Sequence, residues 1–177
     1  AFKELAPESK IIKDIDSIPF PAYELFPIDY YRLLRMPHVT SSDFVMPILS
    51  GRGCTFRCAF CYRMDKGFRQ RSNESIIEEI ERYHLTNFIL HADTTTLNHR
   101  WLLSLCDRLR KLPFKVRIVS NSRVDTVNPE ILREMKSAGW WMVSYGVESG
   151  NNRVLEMNKK EATVEQSRKA VRWTKEA

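Results

Sequence analysis

Three cysteines stand within eight residues of this 177-residue chain, and their thiols carry its clearest chemistry. They are Cys54, Cys58 and Cys61. Three thiolates can hold three irons of a 4Fe–4S cube and leave the fourth iron open to a small molecule. An open coordination position distinguishes a reactive metal site from a closed structural one. A ferredoxin-type electron carrier would supply four cysteines. The spacing therefore favours a reactive iron–sulfur cluster.

Two other interpretations of the cysteines stay open. The first is a zinc ion completed by His84 or His91, although structural zinc sites usually pair two cysteine steps that lie far apart in sequence. The second makes Cys106 a fourth ligand, but Cys106 falls on the apolar face of a predicted helix and suits a small buried hydrophobe better. The first residues of the chain carry no apolar signal core. We therefore expect a reducing, cytoplasmic setting without disulfides.

Basic residues concentrate around the cysteines, in a chain whose net charge is +6. Such a patch attracts anions. The stretch lacks the alternation of aromatic and basic residues that binds single-stranded nucleic acid, so nucleic acid is not an expected partner. The basic side chains after the cysteines would either contact an anionic substrate or shield the charge of the cluster and lie in solvent, and we favour the second. No apolar stretch approaches the roughly 20 residues of a membrane span. The basic residues are Arg52, Arg57, Arg63, Lys66, Arg69 and Arg71.

Strand-like and helix-like segments alternate after residue 43 and must position the cysteine loop. The alternation predicts an α/β fold with a parallel sheet and right-handed crossovers. Four strand–helix units are too few for an eight-stranded barrel of about 250 residues. The sequence therefore predicts a partial (β/α) barrel from which the C-terminal portion is missing. The predicted strands are 44–49, 88–91, 115–120 and 140–147, and the predicted helices are 75–84, 98–111, 128–139 and one opening at the capping box Thr163–Gln166.

The first predicted strand runs directly into the cysteine loop, which places the loop at the carboxyl end of the sheet. Parallel α/β sheets carry their chemistry at that end. Pro47 predicts a bulge or an edge position for this strand. Residues 1–43 instead combine prolines with scattered aromatics and lack periodicity. They predict an extended segment that packs over a neighbouring domain, with a short helix around residues 30–36. The expected domains are this extension, 1–43, and the α/β core, 44–177.

The cysteine motif resembles the signature of the radical S-adenosylmethionine superfamily. It reads Cys54-x3-Cys58-x2-Cys61, with the aromatic Phe60 directly before the last cysteine. Four further segments, 69–80, 121–125, 145–150 and 157–163, are similar to motifs of the branch that includes cobalamin-dependent radical enzymes. Residues 14–22 resemble the linker that joins a cobalamin-binding domain to the radical domain.

The resemblance implies a chemistry and a set of partners. S-Adenosylmethionine would bind the open iron and be cleaved reductively to methionine and a 5′-deoxyadenosyl radical, which abstracts hydrogen from an unreactive carbon. This requires an external electron donor and a small-molecule substrate, and cobalamin would bind in an upstream domain outside this segment. The implied cofactor-binding residues, most of them at strand ends, are Phe60, Asp93, Asn121, Arg123, Glu148 and Ser149.

Several of these residues keep an alternative role. Arg123 would pair with the cofactor carboxylate, or form a salt bridge to Asp125 or Glu148. Asp93 would accept from the cofactor amino group, or serve as a helix cap or loop carboxylate. Residues 91–96 depart here from relatives that have paired aspartates and a phenylalanine. Glu148 and Ser149 would hold ribose hydroxyls or the methionine amine.

Three functions follow from these patterns. The first is a radical enzyme of the cobalamin-associated branch, either a methyltransferase or an oxidative cyclase. The second is a methylthiotransferase of transfer RNA or protein, which needs a second cluster and therefore further cysteines. The third is a non-catalytic α/β module with structural zinc. We expect the substrate to be set by regions beyond this segment.

Overall fold

The computed structural model of this chain describes residues 11–31, 45–62 and 67–177. Predicted strand residue Phe44, most of the predicted helix 30–36, and the basic residues Arg63 and Lys66 lie outside the described residues. The elements in chain order are α1 (Ile28–Tyr31), β1 (Met46–Leu49), β2 (Gly51–Gly53), β3 (Phe68–Gln70), α2 (Asn73–Arg82), β4 (Asn87–His91), α3 (His99–Leu109), β5 (Arg117–Ser122), α4 (Pro129–Ser137), β6 (Trp140–Tyr145), α5 (Asn152–Met157) and α6 (Val164–Glu176), with 3₁₀ turns at Ile15–Ser17, Tyr23–Leu25 and Thr95–Leu97.

Four strands form one parallel sheet in the order β1-β4-β5-β6, which confirms the predicted architecture. Ile48 lies beside Leu90, and Leu90 beside Ser120. β1 is an edge strand of this sheet, so Pro47 occupies the edge position predicted for it. The carboxyl ends of all four strands therefore meet at one edge of the sheet.

Amphipathic helices bury their apolar sides in one core with the sheet. α3 contacts both α2 and α4, and α4 contacts α6. Their buried faces carry residues such as Ile80, Leu105 and Met135. Ser72, Asn98 and Asn128 each cap a helix, and Thr163 with Gln166 forms the predicted capping box. α2 begins at Asn73, two residues before the predicted start. The spacing of apolar residues along these segments thus indicates both that they form helices and which side of each helix is buried.

The structure differs from the sequence prediction in two unpredicted elements and in the bounds of several others. β2 and β3 form a short antiparallel hairpin that was not predicted, because three-residue strands bounded by glycine carry no periodicity. The six-residue helix α5 was also not predicted. β5 runs to Ser122 instead of residue 120, since its last residues are polar yet still pair with β6. β6 ends at Tyr145, two residues before the predicted end.

The N-terminal segment packs against α2 and β1. Asp16 accepts hydrogen bonds from the backbone N–H of Ser72 at 3.1 Å, and Ile15 is buried. The hydroxyl of Tyr23 donates to Glu79 at 2.9 Å, and Glu79 pairs with Arg71 at 2.5 Å. Glu79 and Arg71 are 1% and 7% exposed, so this ion pair is buried. Polar contacts therefore join the described part of this segment to α2 and to the residues directly before it, and its packing over a neighbouring domain stays a prediction.

We expect Glu79→Ala to lower the free energy of unfolding by about 3–5 kcal/mol, because it leaves the buried Arg71 guanidinium with only the more distant Asp16 carboxylate, 3.9 Å away, among the ion pairs of the described residues. The matched control is Glu78→Ala on the same helix. Glu78 forms an exposed ion pair with Arg82. Loss of this pair should lower the free energy of unfolding by less than about 1 kcal/mol. Urea-induced unfolding followed by circular dichroism measures both. Equal losses in the two variants would contradict a structural role for the buried pair.

Candidate active site

The predicted site residues surround one cavity of about 820 Å³ at the carboxyl edge of the sheet. The loop after β1 forms one wall, and the ends of β4, β5 and β6 form the others. All but one of the predicted residues line it: Cys54, Phe60, Cys58, Cys61, Asp93, Asn121, Arg123 and Glu148. The parallel topology therefore brings together residues that are up to 94 positions apart in sequence.

The three cysteines lie on one loop that lines the cavity, and Cys58 and Cys61 lie on its last turn. Cys58 is buried, Cys54 is half-buried and Cys61 is exposed, and all are free thiols. The N–H of Cys61 donates to the carbonyl of Cys58 at 3.2 Å, which closes the turn. The N–H of Ala59 donates to the carbonyl of Asn158 at 2.8 Å. The loop is thus fastened to the segment that follows α5.

Neighbouring groups raise the pKa of the Cys61 thiol. Partial burial is the largest cause, followed by the charges of Cys58 and Cys54. Asp93 also raises the pKa, and Lys160 lowers it. The three thiols therefore lie within electrostatic reach of one another and of the charged residues at the strand ends. A cation bound among them would stabilise the thiolate forms.

The donor set fits an iron–sulfur cluster. Within 11–31, 45–62 and 67–177, no three His, Cys, Asp or Glu side chains converge closely enough for a single metal ion. A cubane has a different requirement, because each thiolate binds a separate iron. Thiolates are the usual protein ligands of such clusters, and here three of them face one cavity. Cys54, Cys58 and Cys61 are the residues that would hold the cluster.

Arg123 follows β5 and is bound mainly by the protein itself. Its guanidinium donates to both carboxylate oxygens of Asp125, at 2.8 and 2.7 Å, the pair that the sequence left as an alternative to cofactor binding. Burial, the largest single influence, lowers the pKa of Arg123, but the hydrogen bonds and charges of Asp125 and Cys58 together raise this pKa above its usual value. Contact between Arg123 and a cofactor carboxylate stays a prediction.

Glu148 and Lys160 form an ion pair in the cavity wall. Their charged atoms are 3.0 Å apart, and Lys160 is 4% exposed overall. The Lys160 ammonium also lies over the Phe60 ring, 5.7 Å from its centre. Glu148 has a φ of +62°, which is uncommon for a residue other than glycine. Lys160 was not singled out as a site residue, because a pair of lysines between two helices carries no distinctive signal.

Asp93 and Ser122 present polar groups to the same cavity. Asp93 follows β4 and is exposed, and α3 is capped by Asn98 rather than by Asp93. Ser122 is 4% exposed, and its hydroxyl has no hydrogen-bond partner in the described part of the chain. A buried hydroxyl on a cavity wall suits a bound ligand. Ser122 was missed because a serine at a strand end carries no distinctive signal.

Other predicted residues lie elsewhere. Ser149 lines a separate groove beside α6, and its hydroxyl accepts from the N–H of Asn151 at 3.1 Å. Arg71 was expected to shield a cluster or to lie in solvent, which is wrong, because it is buried in its pair with Glu79. Arg52 lines the cavity, and Arg57 is exposed. Among the helices of the described residues, none has the length and apolarity to cross a membrane.

Comparison with known proteins identifies the family. A model described as the radical SAM superfamily matches residues 48–177. The chain belongs to this superfamily, whose members use a 4Fe–4S cluster and S-adenosylmethionine. Family membership supports the iron–sulfur interpretation over a structural zinc module.

Two curated relatives are each 32% identical to the chain. One is an uncharacterized methyltransferase of Pyrococcus horikoshii, matched over 96% of this chain and 37% of its own length. The other is the anaerobic magnesium-protoporphyrin IX monomethyl ester cyclase of Cereibacter sphaeroides, matched over 71% of this chain and 22% of its own. The chain therefore spans 22–37% of the length of these relatives.

Solved structures share the fold. TsrM of Kitasatospora setae, a radical S-adenosylmethionine methyltransferase with cobalamin and a [4Fe–4S] cluster bound, aligns with a TM-score of 0.66 at 18% identity, over 84% of this chain and 30% of that protein. The cobalamin-dependent S-adenosylmethionine radical enzyme OxsB aligns with a TM-score of 0.64 at 23% identity, over 73% of this chain and 22% of that one. At these identities the likeness concerns the fold.

We expect Gly146→Ala to weaken S-adenosylmethionine binding about tenfold, which corresponds to about 1.4 kcal/mol. A Cβ at Gly146 would lie 2.6 Å from a carboxylate oxygen of Glu148 and 3.0 Å from the Lys160 ammonium, and would displace the pair. Equilibrium dialysis with anaerobically reconstituted protein measures the affinity. Gly150→Ala is the control, since its Cβ would meet nothing within 4 Å. Equal affinity in the two variants would argue against a binding role for the ion pair.

Proposed function

We propose that this chain holds a 4Fe–4S cluster through Cys54, Cys58 and Cys61 and forms the first part of a radical enzyme that cleaves S-adenosylmethionine. One observation carries the proposal: three free thiols of a single loop line a cavity bounded by the ends of four parallel strands. When bound, the reduced cluster supplies the electron that breaks a carbon–sulfur bond of the cofactor. The protein supplies cluster ligands, cofactor contacts and an enclosing wall.

The side chains around the cysteines suit a zwitterionic, hydroxyl-rich cofactor. Asp93 and Glu148 accept hydrogen bonds from ammonium or hydroxyl groups, and Asn121 can both donate and accept. Phe60 contributes an apolar surface beside the last cysteine. Lys160 balances the acidic groups, so the wall is not dominated by one sign of charge. These contacts would orient the cofactor and restrict water at the open iron.

The particular reaction is proposed from the relatives. The names of these two relatives, a methyltransferase and a cyclase, support a methyltransferase or an oxidative cyclase acting on a small molecule. The likeness to the cobalamin-binding enzymes OxsB and TsrM supports dependence on cobalamin. In this proposal residues 1–43 are an extension that follows an upstream cobalamin-binding domain, and residues 44–177 begin the radical core. An external donor supplies the electron. A reducing, cytoplasmic setting is part of this proposal, because the loop thiols must stay reduced to bind the cluster.

A methylthiotransferase is the second candidate. A putative methylthiotransferase of Methanocaldococcus jannaschii is 28% identical over 71% of this chain. This function needs a second cluster, and Cys106 is a poor ligand for one. It is fully buried in the core, and burial raises its pKa to about 12. Outside the cysteine loop it is the remaining thiol of this segment, so a second cluster would need cysteines from outside the segment.

We expect the reconstituted chain to bind about four irons, and each of Cys54→Ala, Cys58→Ala and Cys61→Ala to lose most of this iron and the broad visible absorbance. Formation of 5′-deoxyadenosine from S-adenosylmethionine with a chemical reductant should be lost in parallel. Cys106→Ala is the matched control and should retain the iron. One zinc per chain without colour, or full iron in all three loop variants, would refute the proposed cluster.

A separate measurement tests the cobalamin part of the proposal. The full-length protein should take up about one cobalamin when it is refolded or purified with hydroxocobalamin, since the upstream domain would bind it. Cobalt analysis after gel filtration measures this. A full-length protein that binds iron but no cobalamin would retain the radical assignment and remove the cobalamin-dependent one.

A further inference from the structure

Arg123 makes contacts that tie the cysteine loop to the rest of the site. It is 5% exposed and lies directly after β5. One N–H points at the Sγ of Cys58, 3.4 Å away. The guanidinium carbon lies 3.5 Å from the centre of the Phe56 ring. Phe56 and Cys58 both belong to the cysteine loop, so Arg123 holds this loop at two points.

The remaining donors of Arg123 bind other parts of the wall. Two go to the Asp125 carboxylate, and one reaches the backbone carbonyl of Lys160 at 2.5 Å. A planar guanidinium carries donors on several edges as well as a stacking face, which an ammonium lacks. Arg123 can therefore join β5, the cysteine loop and the segment after α5 through one rigid group.

We propose that Arg123 is a positioning residue that holds Cys58 in place for the cluster and raises the reduction potential of the cluster through its N–H···S hydrogen bond. This inference rests on the proposed function. A hydrogen bond to a ligand sulfur withdraws negative charge and therefore favours the reduced, more negative cluster. Asp125 opposes the effect, because its carboxylate neutralises part of the guanidinium charge.

Two substitutions should move the potential in opposite directions. Arg123→Met keeps the length of the side chain and removes the donor, so we expect a more negative midpoint potential. This variant should also release iron to a chelator about tenfold faster. It lacks one charge-assisted hydrogen bond, and the loss of about 1.5 kcal/mol corresponds to about a tenfold change in rate. Asp125→Asn keeps the arginine donor and removes the opposing charge, so the midpoint should become more positive.

The controls separate this effect from general damage to the fold. Arg133→Met changes an exposed arginine on α4 and should leave the potential and the iron release unchanged. Arg123→Lys keeps the positive charge but not the planar fork, and should fall between wild type and Arg123→Met. If Arg123→Met does not fold, Arg123→Lys and Asp125→Asn still carry the test. Redox titration followed by electron paramagnetic resonance gives the potentials, and circular dichroism checks the fold.

The outcomes are distinguishable from failure of the proposed function. A wild-type chain without a cluster would refute the proposed function itself. A wild-type chain with a cluster whose potential and iron release match those of Arg123→Met would overturn only the role of Arg123. Shifts of Arg123→Met and Asp125→Asn in the same direction would also overturn it, because they would point to general loosening of the loop.

Discussion

The parallel register of four strands is the constraint on which the rest of this structure depends. It brings the turn after β1, Asp93 after β4, Arg123 after β5 and Glu148 after β6 to one edge of the sheet. A slip of one residue would exchange the two faces of a strand, so buried residues fix the register. Phe88 and Ile118, which pair across β4 and β5, are fully buried in the core. The apolar core thus holds chemically reactive residues from distant parts of the sequence around one cavity.

The buried charged residues of this molecule contact different partners, and composition alone does not show which partner each one has. Arg71 belongs to the basic stretch near the cysteines, yet it is buried with Glu79 and joins α2 to the N-terminal segment. Arg123 is equally buried but contacts Cys58. Lys160 is buried and faces the cavity. The partner of each charge, rather than its presence, decides what it does.

The sequence was sufficient to predict the parallel sheet, the helix caps and the convergence of the cysteines with Asp93, Asn121, Arg123 and Glu148. These features follow from apolar period, local capping chemistry and the rule that parallel strands end together. The sequence was insufficient for the β2–β3 hairpin, for Lys160 and for Ser122, because their placement depends on tertiary contacts. It could also not decide between the two roles of Arg123, since the distance to Asp125 depends on the path of the chain after β5.

The central claim is that three thiols bind three irons and leave the fourth open to S-adenosylmethionine. Mössbauer spectroscopy of the chain reconstituted with ⁵⁷Fe, with and without the cofactor, tests it most directly. We expect about one iron in four to change its isomer shift when the cofactor is added, and the other three to stay thiolate-ligated. Four irons that all keep their parameters in saturating cofactor, or iron that does not form a cubane, would contradict the account.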